Sequence, residues 1–261
     1  MDTSALSGLS TQCQGALPRL LTSSFATCAD VLGLVQLASA SGSIVPALDS
    51  YIGDLCTTTP CTSSDLSNAD SIIEQGCSSD IQSGSLIPTA LQLIIQNFDG
   101  IRTLLCTQQT SNSSYCIPEI LYAAQNATGT EFNLTTLSSI AGDQSAGANL
   151  LSAVPSSVYC TDCGEAITIE AIQIIQKSNA SSEEAVNTVR QSAQQQCGAG
   201  FANGTTLPAG ITTSSSSNSS SVSSNSKNNN TGAAIAGFST KQAVVFGTLA
   251  ATLASALVAV V

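Results

Sequence analysis

Ten cysteines limit what this chain can become. They are Cys13, Cys28, Cys56, Cys61, Cys77, Cys106, Cys116, Cys160, Cys163 and Cys197. Their number is even, and they are spread through one long region. In an oxidising compartment that pattern is a disulfide framework. The competing reading is a reduced cytosolic chain with free thiols. Seven N-x-S/T sequons weigh against it: Asn112, Asn126, Asn133, Asn179, Asn203, Asn218 and Asn229. Chains rich in Asn and Ser produce sequons by chance, so each counts for little alone. Together with the cysteines they favour the secretory route.

Composition removes several classes of function. Six basic residues face seventeen acidic ones, for a net charge of −11. Nucleic acid is an unsuitable partner, because phosphate binding needs Lys and Arg to displace counterions. The same charge argues against a polybasic hold on anionic lipid. The chain has no His and no Trp. Without imidazole there is no Ser-His-Asp or Cys-His catalysis and no His-ligated zinc.

The pattern along the chain is helical. In SLIPTALQLIIQNFDGIRTLLC, Ile87, Ala90, Leu91, Ile94, Ile95, Phe98, Ile101 and Leu105 recur at steps of three and four, which predicts one helix with one apolar stripe. Pro88 suits its first turn. Gly100 costs about 1 kcal/mol against Ala inside a helix, so a kink or a close approach is expected there. Val45, Leu48, Ile52 and Leu55 mark a second helix. TSSDLSNADSIIEQGC opens on cap residues and is expected to stop at Gly76. A short helix starts at Pro118. SSEEAVNTVRQSAQQQCG has Ser182 as N-cap and Gly198 as stop. AITIEAIQIIQ fits a strand or a helix, and we read it as a helix because no nearby run offers a strand partner.

The cysteines fall near helix ends. Cys56, Cys77, Cys106 and Cys197 are expected to close helices, and Cys61 and Cys116 to precede them. All ten are expected in bridges, with Cys13–Cys77 and Cys28–Cys61 tying the first helices to the corner at LCTTTPC. YCTDCGEA holds a C-x-x-C, but no βαβ context surrounds it. Asp162 and Glu165 would raise a thiol pKa there, not lower it. A four-cysteine zinc site fits the oxidising context no better. Seventeen carboxylates offer glycosidase pairs, yet such pairs work about 5–9.5 Å apart in clefts usually walled by aromatics. Aromatics make up only 4% of this chain. We expect no enzyme activity, no catalytic or metal-binding residue and no cofactor.

Residues 1–211 are read as one disulfide-rich all-α domain. Residues 212–230 form a Ser/Asn-rich linker too polar to bury a core. Residues 231–261 combine small residues, a short spacer and the apolar run AVVFGTLAATLASALVAVV. A spanning helix needs about 17–25 residues, so this run is long enough to cross a bilayer. Small site, spacer and apolar tail are also the pattern of a GPI-anchor signal. We place the anchor at Asn230, with Gly232 as an alternative and a retained span as the competing reading. MDTSALSGLS has no basic n-region and no apolar h-region, and we read the start as truncated.

LSTQCQGALPRLLTSS, LDSYIGDLCTTTPCTSSDL, RTLLCTQQTSNSSYCIPEIL, YCTDCGEA and QQQCGAGFANGTTLP together resemble, in order, a fungal family of cysteine-rich secreted or GPI-anchored surface proteins built on a domain of unknown function. The resemblance runs from about Ser7 to Ile211. It implies a helical fold and a surface location and carries no activity. LC-x4-C is faintly similar to elicitins, helical sterol-binding proteins. The expected function is a non-enzymatic, GPI-anchored fungal cell-surface glycoprotein on the outer face of the plasma membrane or in the wall. The alternative is an apolar-ligand carrier for a sterol or acyl chain, with Tyr51, Tyr115 or Tyr122 at the mouth of a cavity. Expected partners are the membrane, cell-wall polysaccharide or an apolar small molecule.

Overall fold

A computed structural model describes residues 8–133, 136, 153–178 and 183–213. Ser182, residues 214–230 and residues 231–261 with Asn230 lie outside them, as do three of the sequon asparagines, Asn179, Asn218 and Asn229.

The described chain is mostly helical. In order come α1 (Thr11–Leu21), α2 (Ser24–Cys28), α3 (Val31–Ala38), α4 (Val45–Thr57), α5 (Ser63–Gln82), α6 (Leu86–Gln96) and α7 (Phe98–Leu105). Strand β1 (Thr107–Gln109) follows, then α8 (Cys116–Thr128), α9 (Ser156–Tyr159), α10 (Asp162–Lys177), α11 (Glu183–Cys197) and strand β2 (Ile211–Thr213).

Local chemistry sets several boundaries. Thr62 and Asp65 form a reciprocal capping box at the start of α5, with the Asp65 N–H donating to the Thr62 hydroxyl at 3.2 Å and the Thr62 N–H to Asp65 at 2.8 Å. Pro88 lies in the first turn of α6 as expected. Gly198, at φ +100°, follows the last residue of α11. AITIEAIQIIQ is helical throughout α10.

Two expectations change. Helix α5 runs through Gly76 to Gln82, and Cys77 is an interior residue with no role as a terminator. Gly76 is there because α1 comes close: a Cβ on it would stand 2.3 Å from the Ala16 Cβ. The single helix expected over 86–105 is two. Asn97 leaves helical geometry at φ −112°, and its side-chain amide donates to the Leu93 carbonyl at 2.8 Å. The turn lets Phe98 meet Phe25 edge to face, with ring centroids 5.2 Å apart. Gly100 then lies against Ile174 of α10, which is the close approach expected of it.

The main core runs from α1 to α7 and reaches α10 through Ala171 and Ile174. Helix α5 packs on α1 and α6, while α10 packs on α7, α8 and α11. A smaller cluster joins Val45, Ala124, Phe132 and Val154. Strands β1 and β2 pair antiparallel, Thr107 opposite Thr213 and Gln109 opposite Ile211. This ribbon was not expected from the sequence. It places Thr212 and Thr213, assigned above to the linker, within the folded domain.

Candidate functional site

The covalent frame is the feature that the sequence pointed to most directly. Five bridges close all ten cysteines: Cys13–Cys77, Cys28–Cys61, Cys56–Cys106, Cys116–Cys163 and Cys160–Cys197. The first two are the pairings expected. Each bridge joins elements that are remote in sequence. Cys13 and Cys77 are 64 residues apart and fix α1 to the middle of α5. Cys56 and Cys106 join the end of α4 to the end of α7. The C-x-x-C is divided, Cys160 to the end of α11 and Cys163 to the start of α8. Its two sulfurs are structural staples in separate bridges, and no cysteine is left as a thiolate for zinc. Among the described residues, no group of three or more acidic or cysteine side chains is placed to hold a metal.

Four predicted acceptor asparagines are described, and the fold disperses them. Asn112 is exposed in the turn after β1, where its Oδ1 accepts from the Ser114 N–H at 3.0 Å and the Ser114 hydroxyl at 2.7 Å. Asn126 is exposed on α8, and Asn203 is exposed in the loop before β2. Asn133 is half-buried, its Oδ1 accepting from the Thr136 N–H at 2.8 Å.

Of the tyrosines proposed for a cavity mouth, Tyr51 is inside the fold. It is 6% exposed and donates to the Ala29 carbonyl at 3.1 Å. Burial first, then the Asp30 charge, push its phenol far above the usual range, with Arg102 opposing. Tyr115 is half-buried, and Tyr122 is exposed on α8.

Three polar features escaped the sequence reading. Arg102 is buried, and its Nη2 donates to the carbonyls of Leu55 at 2.9 Å, Cys56 at 3.3 Å and Thr58 at 2.5 Å. These are the free carbonyls at the end of α4, where a cation also suits the helix dipole. Its Nε and Nη1 have no partner among the described residues. Burial lowers its pKa, while Asp99 and Tyr51 oppose that. The one signal in sequence is an arginine four residues after Phe98 and three before Leu105, in phase with the apolar stripe. Second, the Gln109 side-chain amide donates to both oxygens of Glu119 at 2.7 Å, and the Ser114 hydroxyl adds a bond at 3.1 Å. This knot ties β1 to α8 beside the Cys116–Cys163 bridge. Third, Glu170 is buried on α10 with burial raising its pKa and Lys177 opposing.

No family model, no curated protein and no solved structure matches this chain. Location therefore rests on chemistry. Five bridges in one small domain suggest an extracellular or secreted protein, because cytosolic thiols are kept reduced. No helix among the described residues is long and apolar enough to cross a membrane.

Proposed function

We propose that the chain is a non-enzymatic cell-surface glycoprotein, held by a GPI anchor on the outer face of a fungal plasma membrane or wall. The observation that carries this reading is the complete disulfide frame, which leaves no free thiol and suits an oxidising exterior. The exposed sequons Asn112, Asn126 and Asn203 support the glycan part. The anchor part rests on the order of small residues, spacer and apolar run in 230–261. The fungal assignment rests on the resemblance of the cysteine segments. In this role the domain is a presented object: the bridges preserve its shape outside the cell, and the Ser/Asn-rich segment after Thr213 carries it away from the surface.

The test is release from intact cells by a GPI-cleaving phospholipase. The expected outcome is a soluble, glycan-bearing protein in the supernatant. Retention on the membrane while a control anchored protein is released replaces the anchor with a retained span.

A further inference from the structure

We infer that Asn203 is a modification site with two mutually exclusive fates, N-glycosylation or ring-closing deamidation onto the backbone nitrogen of Gly204. The glycosylation branch rests on the surface-glycoprotein reading above, and the deamidation branch does not.

Asn203-Gly204-Thr205 is at once a sequon and an Asn-Gly pair. The loop holding it is pinned at both sides and open between. Upstream, Ala202 is fully buried and its N–H donates to Glu165 Oε1 at 3.0 Å. Downstream, the Gly210 carbonyl accepts from the Thr110 N–H at 2.8 Å, leading into β2. Residues 203–206 between these ties are exposed. Among the described residues, neither the Asn203 amide nor the Gly204 N–H has a hydrogen-bond partner.

That combination sets up one reaction. The Gly204 nitrogen loses its proton to water and attacks Asn203 Cγ. The new C–N bond closes a five-membered succinimide as the Cγ–Nδ2 bond breaks and ammonia leaves. Water then opens either carbonyl, giving aspartate or isoaspartate. A side chain at position 204 would hinder the attack, and glycine has none. A sugar on Nδ2 removes the free amide on which the reaction depends. Conversely, once the amide is a carboxylate there is no nitrogen to glycosylate. The first event therefore decides the second.

Among the described residues, the other sites lack the combination. The Asn112 amide oxygen is held by Ser114, and Ser113 follows it. Asn126 lies within α8. The Asn133 oxygen is held by Thr136. Asp99-Gly100 has a related pair, but it is inside α7 with Gly100 against Ile174.

The structure supplies a clean variant. A Cβ on Gly204 would meet only the Thr206 nitrogen at 3.7 Å, an ordinary contact, and its φ is not in the glycine region. Gly204→Ala therefore keeps both the fold and the N-x-T sequon. The full chain is made in a glycosylating host and, separately, in a disulfide-forming host without N-glycosylation. Both are aged at mildly alkaline pH, and isoaspartate is located by methyltransferase labelling and peptide mass spectrometry. In the unglycosylated protein, residue 203 is expected to convert before Asn112, Asn126 and Asn133. Gly204→Ala is expected to slow it about tenfold by raising the barrier to ring closure, with an unchanged melting curve. In the glycosylated protein, residue 203 is expected to carry sugar and stay unconverted. Conversion at 203 no faster than at Asn112, or no slowing in Gly204→Ala, overturns the proposal. So does a bare Asn203 beside occupied sequons elsewhere. If no asparagine carries sugar, the glycoprotein reading fails, and conversion at 203 is judged separately.

Discussion

Helices α1 and α11 have the same task and meet it by different means. Each is fastened by one disulfide to a longer helix, α1 to α5 and α11 to α10 or its immediate approach. Helix α1 buries Cys13, Ala16 and Leu20, fits Ala16 against Gly76, and has its N-cap Ser10 held by Asp80 through bonds of 2.8 and 2.5 Å. Helix α11 buries only Val186 and Ala193. The bridge at Cys13 reinforces a closely fitted helix, whereas the bridge at Cys197 fastens one that packs on α10 through a much smaller buried face. A disulfide count would treat the two as equal, but their surroundings do not.

The sharpest way to break this comparison is to remove each bridge in turn. C13S/C77S and C160S/C197S are each expected to cost about 2–4 kcal/mol. Their local signatures are expected to differ. Without Cys160–Cys197, α11 is expected to lose its amide-exchange protection while the rest of the domain retains it. Without Cys13–Cys77, α1 is expected to remain protected until global unfolding. Equal loss of protection in both helices would remove the distinction.

A smaller effect probes the α1–α5 contact alone. Gly76→Ala is expected to destabilise by about 1–3 kcal/mol through overpacking, offset by about 1 kcal/mol of helix propensity. Adding Ala16→Gly opens the space again, so the double variant is expected to recover part of the loss in a thermodynamic cycle by denaturant titration. An additive result would mean that the helices separate freely.

The smallest effects are in pH dependence, and the two regions have opposite signs. The Ser10 hydroxyl and then its N–H hold the Asp80 carboxyl below the usual range. Its contribution is complete above the unfolded-state pKa and is lost as pH falls through the lower folded value. Asp65 behaves alike, through Ser24 first and then Thr62. Glu170 is raised by burial. It imposes no penalty below its unfolded pKa, and stability is lost as pH rises from there through the folded value. In melting curves against pH, Asp80→Asn is expected to flatten the acid limb. Glu170→Gln is expected to raise the melting temperature at neutral pH. A fall on Glu170→Gln would mean that the charge is stabilised in place.

The sequence showed this fold unevenly, for physical reasons. Helices and most of the cysteines near their ends were legible because apolar periodicity and helix ends are local, whereas the two expected pairings join residues 64 and 33 apart and one of them uses the interior Cys77. The break at Asn97 was not, because the apolar stripe continues in phase across it and the turn is drawn by Phe25 and Ile174. Gly76 reads equally well as a stop or as a close approach, and only Ala16 decides. Three-residue strands without alternation, paired across a hundred residues, leave no signature. Arg102 and Glu170 each stand in an apolar run, which marks them as buried but names no partner.

The β1–β2 ribbon has a mechanical consequence. Any pull on the segment following Thr213 enters the domain at the Thr107–Thr213 pair, at the end of a ribbon only three residue pairs long. Under load that pairing peels one pair at a time. The next covalent stop is Cys197, bridged to Cys160. Between them lie the 16 residues from Gly198 to Thr213, which span roughly 50–58 Å when fully extended. The domain thus holds a length of chain between its last strand and its last bridge, secured on the way by the Gly210 and Ala202 backbone bonds, that can be drawn out without breaking a disulfide.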